Sequence, residues 1–433
     1  MRYSAPPYMY DVLPYPPSKE PWLYSAKWRY VERTFQNLCR YYGYREIRTP
    51  ILEQTELFTR SIGETTDIVS KEMFTFTDRG GRSLTLKPEG TAPVVRACIE
   101  HGLFAQYPLL KLYYTSQNFR YERGQKGRYR QHEQLGVEVF GSSDPAIDAE
   151  VITLAMDFYR ALGITELALH IHTVGTPEAR ARYLEALRNY VRPYLSQMSQ
   201  DAQKRFELNP LRMLDTKDPK EKEILAEAPK LLDYLDAQSR DQFERLQEYL
   251  HALETPFVVD PMLVRGFDYY TGTVFEVKGK GLGAQDALCG GGRYDRLVEE
   301  CGGPPTPGIG FGLGVERCLL TLEALSIVLP VEDENPQVFL ILLGDSLRLR
   351  PIAVRLLHDL RRAGICADMD YQGRNFKKQL KRADDLGAPY TLLLGEDELA
   401  RGVVALRNQT TREQQELPLE SIVSSIKERL AQG

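Results

Sequence analysis

Apolar side chains recur along this chain at two periods, and the changes of period mark out its elements. Trp28, Val31, Phe35 and Leu38 fall on one helical face and predict a helix from about Trp22 to Tyr42, ended by Gly43. Pro50 cannot donate to a ladder and is expected at a strand edge. Phe74 and Phe76 alternate with threonines, Asp78–Gly81 reads as a turn, and Ser83–Lys87 as the returning strand. A strand approach at Leu109–Tyr114 leads into a charged stretch, and alternation resumes at Leu135, Val137, Val139 and Phe140. That pattern predicts two antiparallel strands joined by a basic loop. Ile147, Val151, Leu154, Phe158 and Leu162 make one stripe on a helix spanning Asp144–Leu162, followed by a strand at Leu167–Val174.

From Thr176 to Arg265 there is no glycine, and Ala, Leu, Glu, Lys, Arg and Gln dominate. This predicts a helical block inserted between strand-rich ones. Strand pattern returns over Phe257–Val277. Leu288–Tyr294 carries Gly290–Gly292, which permits close backbone approach or makes a tight sheet corner. GIGFGLGVER (Gly308–Arg317) alternates glycine with apolar residues before a helix starting near Val315. An acidic, proline-bounded linker, Leu329–Pro336, comes next. Beyond it the period is βαβαβ-like: strands at Val338–Gly344, Ile365–Met369, Tyr390–Leu394 and Val403–Arg407, helices at Leu347–Arg362, Phe376–Leu386 and Leu419–Leu430.

Composition narrows the class. A length of 433 residues is expected to hold about three domains. A 42% apolar and 27% charged content is ordinary for a soluble enzyme, and a net charge of -5 means that any nucleic-acid contact must be locally basic. The six cysteines form no C-x-x-C pair and read as reduced buried thiols of a cytoplasmic protein. The opening MRYSAPPYMYDVLPYPP reads as an extended Pro/Tyr-rich arm and not as a signal peptide. No apolar run approaches the ~18 residues of a membrane span.

Candidate chemistry concentrates in Phe119–Gly141. Arg120, Arg123, Lys126, Arg128 and Arg130 lie within a dozen residues, with Glu122 the only acid among them and Gly124 and Gly127 between. Such a loop suits a polyphosphate, a nucleic-acid end or both, although a solvated hairpin tip has the same composition. Glu89 and Thr91 read either as a helix-start pair or as acceptors for an ammonium. The glycine strand before Val315 is a weak phosphate signal; no P-loop and no Rossmann fingerprint occur. His132 has no second ligand at useful spacing, so no metal site is assigned. Arg374, Lys377, Lys378, Lys381 and Arg382 crowd one segment without an acid, as a solvated helix face or an RNA contact would.

Four stretches in order carry a family resemblance. FRYERGQKGRYRQHEQLGVEVFG resembles motif 2 of class II aminoacyl-tRNA synthetases, and GIGFGLGVERCL resembles motif 3. LVRGFDYYTGTVFEV and GGGRYDRL resemble the histidine-specific signatures of the histidyl-tRNA synthetase family, and YREIRTPILEQTELF with its preceding helix resembles the dimer-forming motif 1. The resemblance implies an α/β protein with an α+β catalytic core, an antiparallel sheet flanked by helices, over 1–330. It implies a helical insertion at 176–256 and an α/β anticodon-binding domain at 337–433. The implied reaction is ATP-dependent ligation of L-histidine to tRNA(His) through a histidyl-adenylate, in a cytoplasmic homodimer with no membrane association.

Site residues are carried over in the same way. Arg120 and Arg265 are implied as catalytic, Arg265 standing where the family uses an arginine instead of a metal ion. Glu89, Gly90, Thr91, Arg120, Gln134, Glu138, Arg265, Tyr269, Tyr270 and Tyr294 are implied to bind histidine. Arg120, Glu122, Arg128, His132 and Arg317 are implied to bind ATP, with Mg²⁺ on its phosphates. Gln125 and Arg130 are implied for the tRNA acceptor end, and Arg374, Lys377 and Lys378 for RNA contact in the last domain. Two departures stand out: His132-Glu133 replaces a Phe-His pair whose Phe stacks on adenine, and the arm keeps Asp11-Val12-Leu13-Pro14 without the usual Arg-Gly. Two other readings compete: a histidine-sensing regulatory subunit of ATP phosphoribosyltransferase, which resembles the core, and a general RNA-binding protein.

Overall fold

The alternation of the first strand-rich block builds one large sheet in the computed structural model, which describes residues 3–63, 66–122, 124–267, 269–280, 286–331, 335–344 and 348–432. Arg123, Asp268 and the linker acids Glu332, Asp333 and Glu334 lie outside the described residues. The chain divides into two units, Met1–Val331 and Glu332–Gly433.

The strands of the first unit, in chain order, are β1 (Arg45–Glu46), β2 (Leu52–Gln54), β3 (Phe74–Thr77), β4 (Ser83–Leu86), β5 (Leu110–Phe119), β6 (Gln131–Phe140), β7 (Leu167–Thr173), β8 (Val258–Val259), β9 (Thr273–Gly279), β10 (Ala287–Arg293) and β11 (Gly308–Gly314). Eight of them form a sheet in the order β1-β5-β6-β11-β10-β9-β7-β8, and β2-β4-β3 form a small separate sheet. The basic hairpin is fully paired, from Leu110 opposite Phe140 to Phe119 opposite Gln131. Only the two-residue strands β1 and β8 add in parallel.

The pleat sorts side chains of β6 and β11 onto two unlike faces. Leu135, Val137 and Val139, with Ile309, Phe311 and Leu313, join Phe35 of helix Ser25–Tyr41 and Val151 and Phe158 of helix Pro145–Ala161 in the main core. Truncating the fully buried Phe35 to Ala should cost ~3–5 kcal/mol. The opposite face carries Gln134, Gly136 and Glu138. Across it Gly136, Gly312 and Gly290 stand in one row, and Glu138, Gly310 and Gly292 in the next. Glycine in three adjacent strands leaves a shallow trough in the middle of the sheet. The Gly290–Gly292 run is therefore a regular interior strand and not a sheet corner.

The glycine-free block is helical: Pro177–Val191, Gln200–Leu208, Pro219–Ala226 and Ala237–Ala252. Tyr183, Leu187, Phe206 and Leu225 pack in a satellite core, while Phe243, Leu246 and Leu250 of the last helix join the main one. The strand pattern over Phe257–Val277 is only partly realised. Among the described residues 260–272 no strand forms between Val259 and Thr273. Leu263, Tyr269 and Tyr270 are apolar because they pack over Val274 and Tyr294, not because they alternate in a ladder.

The second unit holds β12 (Val338–Leu343), β13 (Ala367–Met369), β14 (Tyr390–Gly395), β15 (Val403–Asn408) and β16 (Gln414–Pro418), in the order β13-β12-β14-β15-β16. Leu340 and Leu342 face Leu356, Leu357 and Ile426 on one side, and Phe339 and Ile341 face Ala383 and Leu386 on the other. The polar edge strand β16 was absent from the sequence expectation. Its exposed Gln-Gln-Glu carries no apolar alternation to read.

Candidate active site

Above the glycine trough lies a cleft of about 670 Å³, lined by Glu89, Thr91, Arg120, Glu122, Arg128, His132, Gln134, Arg265, Tyr269, Tyr270, Tyr294 and Arg317. These side chains come from the loop of the basic hairpin and its strand β6, the start of helix Thr91–Glu100, the coil before β9, the end of β10, and the helix after β11. The geometry thus brings together most residues that the sequence singled out.

Beneath the cleft, behind Thr91 and Tyr294 of its lining, lies Glu138, fully buried on β6. Its Oε1 accepts from Thr91 Oγ1 at 2.7 Å and from Tyr114 O–H at 3.1 Å, and its Oε2 accepts from Tyr294 O–H. Burial pushes its carboxyl up to about 8, against the three hydroxyl donors. Tyr114 was missed by sequence reasoning, which saw only an apolar strand position. Its signal was two distant glycines: a Cβ on Gly90 or Gly136 would overlap the Tyr114 ring. Gly310 likewise keeps open the space that Glu138 Oε2 fills, and Gly312 the space of the Gln134 amide.

Glu89 is a helix-start residue as its position suggested. Its oxygens accept from Thr91 N at 2.6 Å and Ala92 N at 2.8 Å, at the start of helix Thr91–Glu100. Burial raises its carboxyl, and the two amides pull it back. Gln134 Oε1 accepts from Asn118 Nδ2, and Asn118 Oδ1 in turn accepts from Ser116 at 2.8 Å. Glu89, Thr91 and Gln134 all line the cleft, and a carboxylate, a hydroxyl and an amide oxygen are acceptors suited to an ammonium.

Four arginines line the same cleft. Arg120 Nε donates to Pro88 O at 2.8 Å, and Arg120 and Arg128 pair with Glu122 at 3.7 and 3.1 Å. Arg317 Nε donates to Gly127 O at 3.1 Å and its Nη1 to Ala287 O at 2.7 Å, tying the loop tip to the helix after β11. Arg265 pairs with Glu276 on β9 and lies directly over Gly290, whose missing Cβ leaves it room. Glu276 was also missed by sequence reasoning. His132 is half-buried, and burial, then Arg120 and Arg317, depress its pKa to about 3, so its ring is neutral.

Gln125 and Arg130 stand apart from the cleft lining. Gln125 closes a tight turn, with Arg128 N donating to Gln125 O at 2.9 Å. Arg130 packs its guanidinium 3.7 Å from the Tyr121 ring centre. In the second unit Lys377 and Lys378 are exposed on helix Phe376–Asp385, while Arg374 is held by Asp370 at 3.7 Å.

An antiparallel sheet whose long basic hairpin and glycine-strand-to-helix junction converge on one arginine-lined cleft defines a class II aminoacyl-tRNA synthetase. Comparison with known proteins narrows this further. Residues 24–318 match the family model for histidyl-tRNA synthetase, and residues 337–429 that of an anticodon binding domain. A histidine–tRNA ligase of Desulforamulus reducens is 52% identical over 403 residues, 93% of this chain and 96% of that protein. One from Geobacillus sp. WCH70 is 50% identical over 94% of this chain and 96% of that protein. The apo histidyl-tRNA synthetase of S. aureus superposes with a TM-score of 0.81 at 40% identity, covering 98% of this chain and 100% of that one. The chain belongs to the histidyl-tRNA synthetase family.

Proposed function

We propose that this chain ligates L-histidine to tRNA(His) through a histidyl-adenylate. In the first step a carboxylate oxygen of histidine attacks the α-phosphorus of ATP. The bond from that phosphorus to diphosphate breaks, and its electron pair leaves with diphosphate. Two anions must meet, so positioning and charge neutralisation supply the catalysis. Arg120 and Arg265 hold the α-phosphate and the carboxylate, since a planar guanidinium can bridge both. Arg317 takes the γ-phosphate, Glu122 and Arg128 flank the nucleotide, and the neutral His132 ring stacks on adenine. Among the described residues no three metal-binding side chains cluster. Mg²⁺ would be carried on the ATP phosphates, where it would offset their charge, with Glu122 the carboxylate to meet it.

Histidine is selected by hydrogen bonds. Glu138 accepts from one imidazole N–H, Tyr270 pairs the other nitrogen, and Tyr269 and Tyr294 form the walls. Glu89, Thr91 and Gln134 hold the α-ammonium, and Gly90 preserves the seat of Tyr114. An analogue lacking the imidazole N–H leaves Glu138 unpaired, which is costly in a buried site. In the second step a terminal ribose hydroxyl of the tRNA attacks the adenylate carbonyl carbon, and AMP leaves. Gln125 and Arg130 serve the acceptor end; Arg374, Lys377 and Lys378 contact RNA elsewhere. The chain works as a cytoplasmic homodimer joined through Trp22–Phe58.

The observation that carries this reading is the buried Glu138 carboxyl group beneath a cleft lined by Arg120, Arg265 and Arg317. That trio, together with a full second unit, favours the ligase over a regulatory subunit of ATP phosphoribosyltransferase. Histidine-dependent ATP–diphosphate exchange followed by charging of tRNA(His) tests it. Histidine binding without exchange would favour the regulatory reading, and RNA binding without histidine binding a general RNA-binding protein.

A further inference from the structure

The Pro/Tyr-rich arm touches the basic loop in a way that the reaction itself does not require. Tyr8 has a φ of 62°, a left-handed conformation that bulky residues avoid. Something must hold it there, and the loop does. Arg130 N donates to Tyr8 O at 2.9 Å. The Arg130 guanidinium lies 5.4 Å from the Tyr8 ring centre and 3.7 Å from that of Tyr121, so it is gripped by two rings. The Tyr8 ring sits so closely on Gly124 that a Cβ there would overlap it. Two residues on, the Tyr10 ring packs against Trp22 at 4.9 Å and against Tyr129 of the loop at 5.0 Å. Its hydroxyl donates to Glu316 Oε1, which also accepts from Glu133 N at 2.7 Å. The arm is then pinned by Leu13, which exchanges backbone hydrogen bonds with Leu23 and Ser25.

We propose that Tyr8 is a positioning residue: with Tyr10 it makes the arm a latch that holds the basic loop closed over the cleft. The proposal rests on reading that loop as the contact for ATP and the tRNA acceptor end. The latch occupies Arg130, so the loop is ordered before any substrate arrives, and part of the ordering cost of binding is met by the arm. The Tyr8 ring supplies this hold at the cost of a left-handed backbone.

The test is a double-mutant cycle on the full-length protein. Tyr8→Gly tolerates the same φ and keeps the carbonyl that Arg130 uses, so it removes the ring alone. Gly124→Ala pushes the ring off its seat. Trypsin cleavage at Lys126 and Arg128, followed by mass spectrometry, reports loop opening. Tyr8→Gly should be nicked there about tenfold faster at unchanged global stability. It should also raise the KM for tRNA and ATP several-fold while the KM for histidine stays fixed. Gly124→Ala should do the same in the wild-type background and nothing more on top of Tyr8→Gly. Tyr3→Gly, on the same arm but 91% exposed, should match wild type. Wild-type nicking in Tyr8→Gly, or a Gly124→Ala effect of equal size in both backgrounds, would overturn the latch. Faster, coupled nicking with every KM unchanged would keep the latch and overturn the reading of the loop as a substrate contact.

Discussion

Gly290→Ala should disable adenylation without touching any functional side chain chemically. Gly290 stands mid-strand in β10 with ordinary backbone angles, and the three atoms nearest to an added methyl all belong to the Arg265 guanidinium. To restore ordinary contact that guanidinium must retreat by roughly 1.5–2 Å. It is the far end of a long side chain, so the retreat is cheap for the fold, and thermal stability should change little. It is expensive for the reaction, because a misplacement of about 1 Å at a reacting centre can cost ~10²-fold. Histidine-dependent exchange should therefore fall by about two orders of magnitude, roughly 3 kcal/mol of transition-state stabilisation. Arg265→Lys keeps a cation beside Glu276 but not the planar fork, and should fall as far. In both variants, transfer from preformed histidyl-adenylate should suffer much less, because the displacement at phosphorus is already complete. The reasoning is refuted if a folded Gly290→Ala protein exchanges at the wild-type rate, or if adenylation and transfer fall by the same factor.

Three other outcomes are expected. Glu138 has a folded pKa near 8 against an ordinary 4.5, so its contribution to stability is complete below about 4.5 and lost as pH rises toward 8; Glu138→Gln should flatten that part of the stability profile relative to wild type, seen by thermal melts without histidine, and should abolish discrimination for histidine in exchange assays. Cutting the linker near Asp333 should leave residues 1–330 active in exchange while tRNA charging collapses; unchanged charging by the shorter protein would remove Arg374, Lys377 and Lys378 from RNA contact. Light scattering at micromolar concentration should give twice the chain mass, and a single-chain mass would remove the dimer proposed through Trp22–Phe58.

Local patterns were legible without coordinates. The stripe Trp28, Val31, Phe35 and Leu38 predicted a helix because only one face of a 3.6-residue repeat can be buried, and those residues lie in that core. The alternation at Leu135, Val137 and Val139 predicted β6 in the same manner, and the charge cluster between the strands marked the hairpin tip. What failed was alternation without a ladder: Leu263, Tyr269 and Tyr270 are buried by packing, and no period separates that from a strand.

Cross-strand register was decided by the tertiary structure alone. Gly136, Gly312 and Gly290 lie far apart in the chain, and nothing in any one strand says that they share a row. That row makes the trough, and the trough admits Tyr114, the Gln134 amide and Arg265. The partnerships of Glu138 with Tyr114 and of Arg265 with Glu276 arise in the same way. The sequence by itself determined most of the helices and strands, and which of their faces turn inward, because both depend largely on neighbours within a few residues; the coil at 260–272 and the polar edge strand β16 are the exceptions. Which distant residues meet depends on how the strands order and slide past one another, and that is a property of the whole packed sheet.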